Sequence, residues 1–415
     1  MATHLRQFTP SLLAAAVALA SGQTMAAGFQ LNAQSATGIG QAFSGDAVIA
    51  DNASVMARNP AAMALFDETA LSLGFEIIST DITAKDVQYN GNPAESFDDA
   101  GGVSVAPNMH LIIPVNEQFA WGVNAYSNFA TNTDFSDSLS WSEYGGLTDV
   151  ESVNIGVSAS YRLNEQWSFG AGIDIIYGTG KLTRIAGTDM SVVAPGTVLV
   201  DADADGFGVG FNLGTVFELD ENNRFGLSYR YSPEIEADGS VEYSGDKDSN
   251  GTLYMPLPNM AEFSGYHRIK ETPFALHYSI QYTGWSCFDK LDAKINGTTT
   301  TLNDYNWQDS WHYAIGGTYY LDNQWTLRAG YMYDTSAQDE TTSVSVPDSD
   351  RQWFSAGATY EIDQQSNIDI GLTYLIGQDV QADEVTDAGP LELSRISATT
   401  RANAVLFGLQ YNRTF

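Results

Sequence analysis

Beyond its first 26 residues the chain holds four histidines, His110, His267, His277 and His312. None stands in a nucleophile-elbow sequence or beside an obvious Ser or Asp partner, so the parts of an acyl-transfer site are not assembled in the sequence. Two stretches echo the opening of a calcium loop, Asp201-Ala202-Asp203-Ala204-Asp205-Gly206 and Asp246-Lys247-Asp248-Ser249-Asn250-Gly251. Such a loop needs a bidentate Glu at its twelfth position. Asn212 and Leu257 stand there instead. Cys287 is the only cysteine, which excludes an intrachain disulfide. The expectation is a protein that is not an enzyme and has no cofactor and no metal centre. Its residues are suited to binding rather than bond-making.

Composition narrows the partners. The formal charge is −33, and −34 without Arg6, which argues against nucleic acid. Much of the acid falls in long predicted loops. There it suits solvent, ions and divalent cations shared with lipopolysaccharide phosphates. Residues 1–26 read as a secretory signal. Arg6 supplies the positive end, 12–20 the apolar core and Thr24-Met25-Ala26 the small-residue cleavage site. That core is too short to cross a bilayer as a helix, and no later run of about 20 apolar residues exists.

A membrane protein without such helices must cross with strands that close on themselves. The sequence breaks into fourteen strand-like segments: 70–82, 102–115, 117–128, 149–162, 165–185, 204–219, 223–236, 252–268, 273–288, 307–321, 323–336, 350–362, 366–380 and 401–415. Their connections alternate short and long, and the chain stops on Phe415. The slightly polar mean hydropathy of −0.17 fits strands in which only alternate residues meet lipid. In 366–380, Ile368, Ile370, Leu372, Tyr374 and Ile376 share one face, and Asn367, Asp369, Gly371 and Thr373 the other. Four short turns repeat one recipe, Asn116-Glu117-Gln118-Phe119, Asn164-Glu165-Gln166-Trp167, Asn222-Asn223-Arg224-Phe225 and Asp322-Asn323-Gln324-Trp325. Turn formers precede an aromatic placed at headgroup level. The expected fold is all-β, a transmembrane antiparallel barrel of about 14 strands over 69–415, in the outer membrane of a Gram-negative cell.

Residues 27–68 do not alternate. Small residues dominate, with breakers at Gly38, Gly40, Gly45 and Pro60. They read as short helices and turns packed in a confined space, a small N-terminal hatch in the lumen. Asn59-Pro60-Ala61 is a turn on chemistry alone, with Asn capping and Pro pre-set for the next helix.

Several motifs, in order, carry a resemblance: Gly28-Phe29-Gln30-Leu31-Asn32, Ser44-Gly45, Arg58-Asn59-Pro60-Ala61, Pro107-Asn108-Met109-His110, Lys181-Leu182-Thr183-Arg184, Trp285-Ser286, and Asp350-Arg351 with Ser355-Ala356-Gly357 and Tyr360. With them the chain resembles the FadL family of outer-membrane long-chain fatty-acid transporters. The resemblance implies a monomeric barrel taking hydrophobic small molecules by facilitated diffusion, without ATP or metal. Substrate would dock outside, move to an inner pocket and leave sideways into the membrane at an inward kink of strand three.

Carried onto this chain, the resemblance puts Phe29 and Arg184 at the ligand, Asn59, Pro60 and Ala61 in the hatch, and Ser127, Asn128, Phe129 and Asp334 at the lateral gate. Ala130 follows the kink where the family often has Gly, and a second head-group cation of the family has no counterpart in 300–303. The apolar Leu253, Tyr254, Met255, Leu257 and Met260 read either as a surface for a tail or as strand packing. The cargo stays open between long-chain fatty acids and alkanes or aromatic hydrocarbons, with an adhesin or surface-receptor barrel as the reading from another class.

Overall fold

The computed structural model describes residues 28–32, 34–339 and 341–415; the expected signal segment lies outside them. Fourteen staves form the wall. They are β1 (Ala70–Tyr89), β2 (Val103–Pro114), β3 (Phe119–Tyr126, resuming as Ala130–Asp134), β4 (Leu147–Arg162), β5 (Trp167–Ile185), β6 (Val198–Asp220), β7 (Asn223–Tyr231, resuming as Glu234–Tyr243), β8 (Asp246–Pro256, resuming as Met260–Arg268), β9 (Phe274–Thr283), β10 (Ser310–Tyr320), β11 (Trp325–Asp334), β12 (Arg351–Glu361), β13 (Ser366–Gly377) and β14 (Leu391–Thr414). Each stave pairs antiparallel with the next. β1 closes on β14 from Ala70↔Thr414 to Tyr89↔Ile396, so the sheet leaves no edge. No helix among the described residues is long and apolar enough to cross a membrane.

Period-two alternation places the side chains as expected. On β5 and β6, Ile173, Phe207 and Val209 are more than 60% exposed, whereas the intervening Asp174 and Asn212 are at most 2% exposed. Apolar outside and polar inside is the arrangement for lipid. In three of the short turns the Asn or Asp oxygen accepts the two amides that follow. Asn116 Oδ1 accepts from Gln118 and Phe119, Asn164 from Gln166 and Trp167, and Asp322 from Gln324 and Trp325, all at 2.8–3.0 Å. The fourth turn differs, because Asp220 rather than Asn222 is the acceptor, at 2.8 Å from Asn222 N. Aromatics entering from two of these turns meet cross-strand partners: Trp167 packs on Phe217 at 4.7 Å and Trp325 on Tyr360 at 4.9 Å; Phe274, after a further short turn, packs on Tyr319 at 4.7 Å.

Three expectations change. The strand read as 252–268 is two pieces, because Pro256 and Pro258 lack the N–H a ladder needs. Pro233 divides 223–236 in the same way. The loop expected at 237–251 is largely strand, closed by a tight turn at Ser244-Gly245, and the strand expected from 204 already begins at Val198. That removes the calcium-loop echo. Asp201, Asp203 and Asp205 lie on β6 as alternate outward residues, about 6–7 Å apart along the strand, and the three cannot converge on one ion. Asp248 spends its carboxylate on Asn250 N and Asn296 N, at 2.9 and 2.7 Å.

The N-terminal segment occupies the lumen. Its short helices α1 (Ala36–Gly40) and α2 (Val55–Arg58) and the 3-10 turn Pro60–Leu65 hydrogen-bond to inward wall residues. Gly45 N donates to Ser279 Oγ at 2.9 Å, and Thr373 Oγ1 donates to Ile39 O at 2.7 Å. Ion pairs add to this, Arg328 with Asp51 at 2.8 Å and Arg58 with Glu262 at 3.5 Å. Wall glycine permits the close approach: a Cβ on Gly330 would sit 2.0 Å from Gln41 O.

Gly330→Val is therefore expected to cost about 1–3 kcal/mol by overpacking and to push the segment off the wall. Purified protein should melt earlier and conduct more in planar bilayers. Unchanged melting and conductance would remove the tight-fit account.

Candidate functional site

An apolar pocket lies above the N-terminal segment. Strand alternation turns Leu253 and Met255 of β8 inward and buries them. Across from them is an aromatic group delivered by the long connection between β9 and β10. After the 3-10 turn Trp285–Cys287, the hairpin Lys290–Ile295 and Thr298–Asp304 pairs with β8 at Leu253↔Ala293. This pairing returns Tyr305 and Trp307 to the barrel mouth, beside Phe288. Phe29 stands at the centre, with ring centroids 4.6 Å from Trp285, 5.2 Å from Phe288 and 5.6 Å from Trp307. With Phe29 in place the free volume is about 40 Å³, too little for a long alkyl chain. The apolar stretch 253–260 thus lines an internal pocket at Leu253 and Met255, while Tyr254 faces an outer surface groove.

A larger compartment of about 560 Å³ continues outward, sharing Leu182 and Tyr305 with the pocket. Arg184 stands in its wall. One guanidinium nitrogen donates to Leu147 O at 2.6 Å and Thr183 O at 2.8 Å, and the other to Thr148 Oγ1 at 2.7 Å. Glu384 lines the same space from the external strand Val380–Ala388, which pairs with the start of β14. Its Oε1 accepts the Val344 amide at 2.6 Å. Burial lifts the Glu384 carboxyl to about 7, against the lowering effect of that amide and of Arg184.

Ladder pairing of β3 stops at Tyr126 and resumes at Ala130, so Ser127, Asn128 and Phe129 form a break. On one side Ser152 bridges it, donating its amide to Phe129 O at 2.8 Å. On the other side, β2 residues 103–108 have ladder partners only on β1. The N-terminal segment supplies the break from within: Leu31 N donates to Asn128 O at 2.6 Å, and Ala130 N to Phe29 O at 3.0 Å. Gln30 and Phe129 are thus opposed as an antiparallel bridge. Gln34 Nε2 adds a bond to Asn128 Oδ1 at 2.6 Å.

Asp334 lies on β11, with its Oδ1 3.2 Å from His312 Nε2, and His312 Nδ1 is 3.4 Å from Asn32 Nδ2. His312 thus links it to the N-terminal segment. Asp348 makes the direct contact, accepting from Gly28 N at 3.3 Å and Ala337 N at 2.6 Å while paired with Arg351. Asn59 Oδ1 caps the Pro60–Leu65 turn at Ala61 N, 3.0 Å away. Its Nδ2 joins Ala47 O at 2.8 Å to Thr215 O of β6 at 3.1 Å.

The structure therefore gathers Phe29, Ser127, Asn128 and Phe129 at one place, with Arg184 in the compartment beyond. Asp334 is linked through His312, and Asn59-Pro60-Ala61 lies below, against the wall. Sequence reasoning missed Asp348, Glu384 and the aromatic group. One signal was available: Phe288, Tyr305 and Trp307 crowd a connection where solvent exposure would be costly.

The family described as outer membrane protein transport protein (OMPP1/FadL/TodX) matches residues 17–415. The chain belongs to that family. It is an outer-membrane β-barrel transport protein and not an enzyme. The long-chain fatty acid transport protein of Escherichia coli K12 is 36% identical over 454 residues, covering 98% of this chain and 99% of its own. Outer membrane protein P1 of Haemophilus influenzae is 32% identical over 463 residues, covering 99% of this chain and 100% of its own. The solved Pseudomonas aeruginosa FadL homologue superposes with a TM-score of 0.85 at 22% identity, over 94% of this chain and 100% of that one, a likeness of fold. The Ralstonia pickettii toluene transporter TbuX gives 0.69 at 17% identity, over 92% and 99%.

Gly28 has φ +62°, and a Cβ there would lie 2.5 Å from Trp307 and 2.7 Å from Trp285. Gly28→Ala should therefore unseat Phe29 from its ring neighbours. The indole emission of Trp285 and Trp307 is then expected to shift red as water enters, and an unaltered spectrum would show that the ring keeps its place.

Proposed function

We propose that this protein carries long-chain fatty acids across the outer membrane by facilitated diffusion, through the pocket capped by Phe29 and a lateral opening at the break in β3. One observation carries the reading: the side chain that fills the pocket and the backbone that pairs with the broken strand belong to the same residues, 29–31. A tail that enters must displace Phe29, and moving Phe29 draws on the two hydrogen bonds to 128–130. The near-full-length relatives named for long-chain fatty acid transport support this cargo.

The energetics divide the work. Burial of a sixteen-carbon tail, at about 0.8 kcal/mol per CH₂, yields on the order of 10 kcal/mol before costs. A charged hydrogen bond from Arg184 adds about 1.5–3 kcal/mol. The pocket supplies affinity and Arg184 orients the carboxylate. Asn59-Pro60-Ala61 holds the hatch to the wall, and Asp334 with His312 steadies the N-terminal segment at the gate. The closed sheet serves as a monomer, with outward carboxylates of its external rim meeting lipopolysaccharide through shared cations. Hydrocarbon cargo is the second reading, favoured by the almost wholly apolar lining of the inner pocket.

Radiolabelled oleate uptake in cells lacking their own outer-membrane fatty-acid transporter should be restored by this protein. Failure with a folded barrel would move the cargo to hydrocarbons. Arg184→Ala should weaken oleate binding roughly 10- to 100-fold and spare oleyl alcohol; equal loss for both would end the orienting role. A Gln30→Cys, Phe129→Cys pair in a Cys287→Ser background joins opposed bridge residues, whose Cβ atoms are about 4.5–5.5 Å apart in such pairs. Oxidation is expected to stop uptake and reduction to restore it. Full uptake by the oxidised protein would show that 29–31 need not leave the break.

A further inference from the structure

The compartment that holds Arg184 is an odd place for an anion. Four carboxylates line it, Glu143, Asp304, Glu384 and Asp387, against the single Arg184. No lysine or histidine is among the described residues of its wall. The acids are not equivalent. Glu143 is buried and fully engaged, accepting from Tyr89 Oη at 2.6 Å, Ser394 Oγ at 2.7 Å and Gly187 N at 2.9 Å. Asp304 and Asp387 are exposed, where water and salt screen them. Glu384 alone is a partly buried carboxyl, held by the Val344 amide, in a space it shares with Arg184. Among the described residues no ion pair of 4 Å or less joins the two, so room lies between them rather than a closed salt bridge. The remaining titratable groups facing this space are the phenols of Tyr144, Tyr243 and Tyr305, of which burial raises Tyr144 and Tyr305.

We propose that Glu384 sets the charge of the head group this compartment accepts, so that an anionic head is held together with one proton taken up from solvent onto Glu384. The inference rests on the reading of the compartment as the head-group site and deepens it. With Glu384 ionised, Arg184 is already neutralised at a distance, and an entering anion meets a like charge across a small cavity. With Glu384 protonated, Arg184 is free to attract the anion and the carboxyl O–H is a further donor. The carboxyl already titrates near 7, and an anion beside it raises that value further. The sign follows. Anion affinity is full at low pH and is lost as pH rises above about 7. Neutral heads feel no such term, so the device also grades cargo, favouring alcohols and hydrocarbons over carboxylates at alkaline pH.

The test uses the full protein in nonionic detergent and two probes, hexadecanesulfonate, which stays ionised at every pH used, and neutral hexadecanol. From about pH 5.5 to about pH 8.5, sulfonate affinity should fall about 30-fold in the wild type, the limit for one coupled proton with a pKa near 7. In Glu384→Gln, which keeps an acceptor for Val344 N, it should change less than about threefold. Hexadecanol should bind both proteins without pH dependence. Calorimetry of the wild type in two buffers of different ionisation heat should show nearly one proton taken up per sulfonate at about pH 8. A flat wild-type profile, a slope retained in Glu384→Gln, or no proton uptake would each overturn the proposal while hexadecanol binding leaves the pocket reading intact. If neither probe binds at any pH, the pocket reading itself fails and takes the proposal with it.

Discussion

In a bilayer every backbone amide of the wall must find a partner, and the rest of this structure follows from how that demand is met at 127–129. An unpaired N–H or C=O in hydrocarbon costs several kcal/mol. Strand β3 gives up its ladder on one side there, and the N-terminal segment makes good part of the loss with Leu31 N and Phe29 O. Ser152 keeps the break tied to β4. The wall is thus complete only while 29–31 lie against it.

The same residues close the pocket. Phe29 meets Trp285, Phe288 and Trp307 on one side and Phe129 at 6.3 Å on the other. Ring and backbone are therefore coupled through three residues of chain, too short to absorb a large shift. Below them the lumen is polar and ion-paired, by Arg58 with Asp46 and Glu262, Arg328 with Asp51, and Arg230 with Asp174. Buried pairs of this kind add little net stability, but they fix position, since breaking one strands a charge. The N-terminal segment is fixed from below by ion pairs, while its first residues, above, are held by aromatic contacts and by hydrogen bonds to 128–130 and Asp348.

Much of the wall was legible because alternation is local physics. Ile173 and Asp174, two neighbours on β5, go to lipid and lumen whatever the rest of the chain does. Turn chemistry was legible for the same reason at Asn116, Asn164 and Asp322. It failed at Asn222, because the turn sits two residues earlier, where Asp220 accepts the Asn222 amide. The external extensions of β6, β7 and β8 were read as loops because acidic, glycine-containing stretches carry no lipid-facing pattern. Outside the membrane a strand needs none. The calcium-loop echo misled for a related reason, because a loop motif specifies ligands only when the backbone curls around them.

Sequence by itself determined the class of fold, the number of staves, the polar lumen and the presence of a non-alternating N-terminal segment, since each rests on residue spacing along the chain. It also placed Phe29 and the 127–129 triplet among the residues of interest, through resemblance. Only the tertiary structure decided that Phe29 sits among Trp285, Phe288 and Trp307, that Asp348 rather than Asp334 holds Gly28, and that Glu384 faces the compartment of Arg184. Those contacts join residues tens to hundreds of positions apart. Closure of the barrel brings them together, and no local pattern encodes which wall residues an enclosed segment will meet.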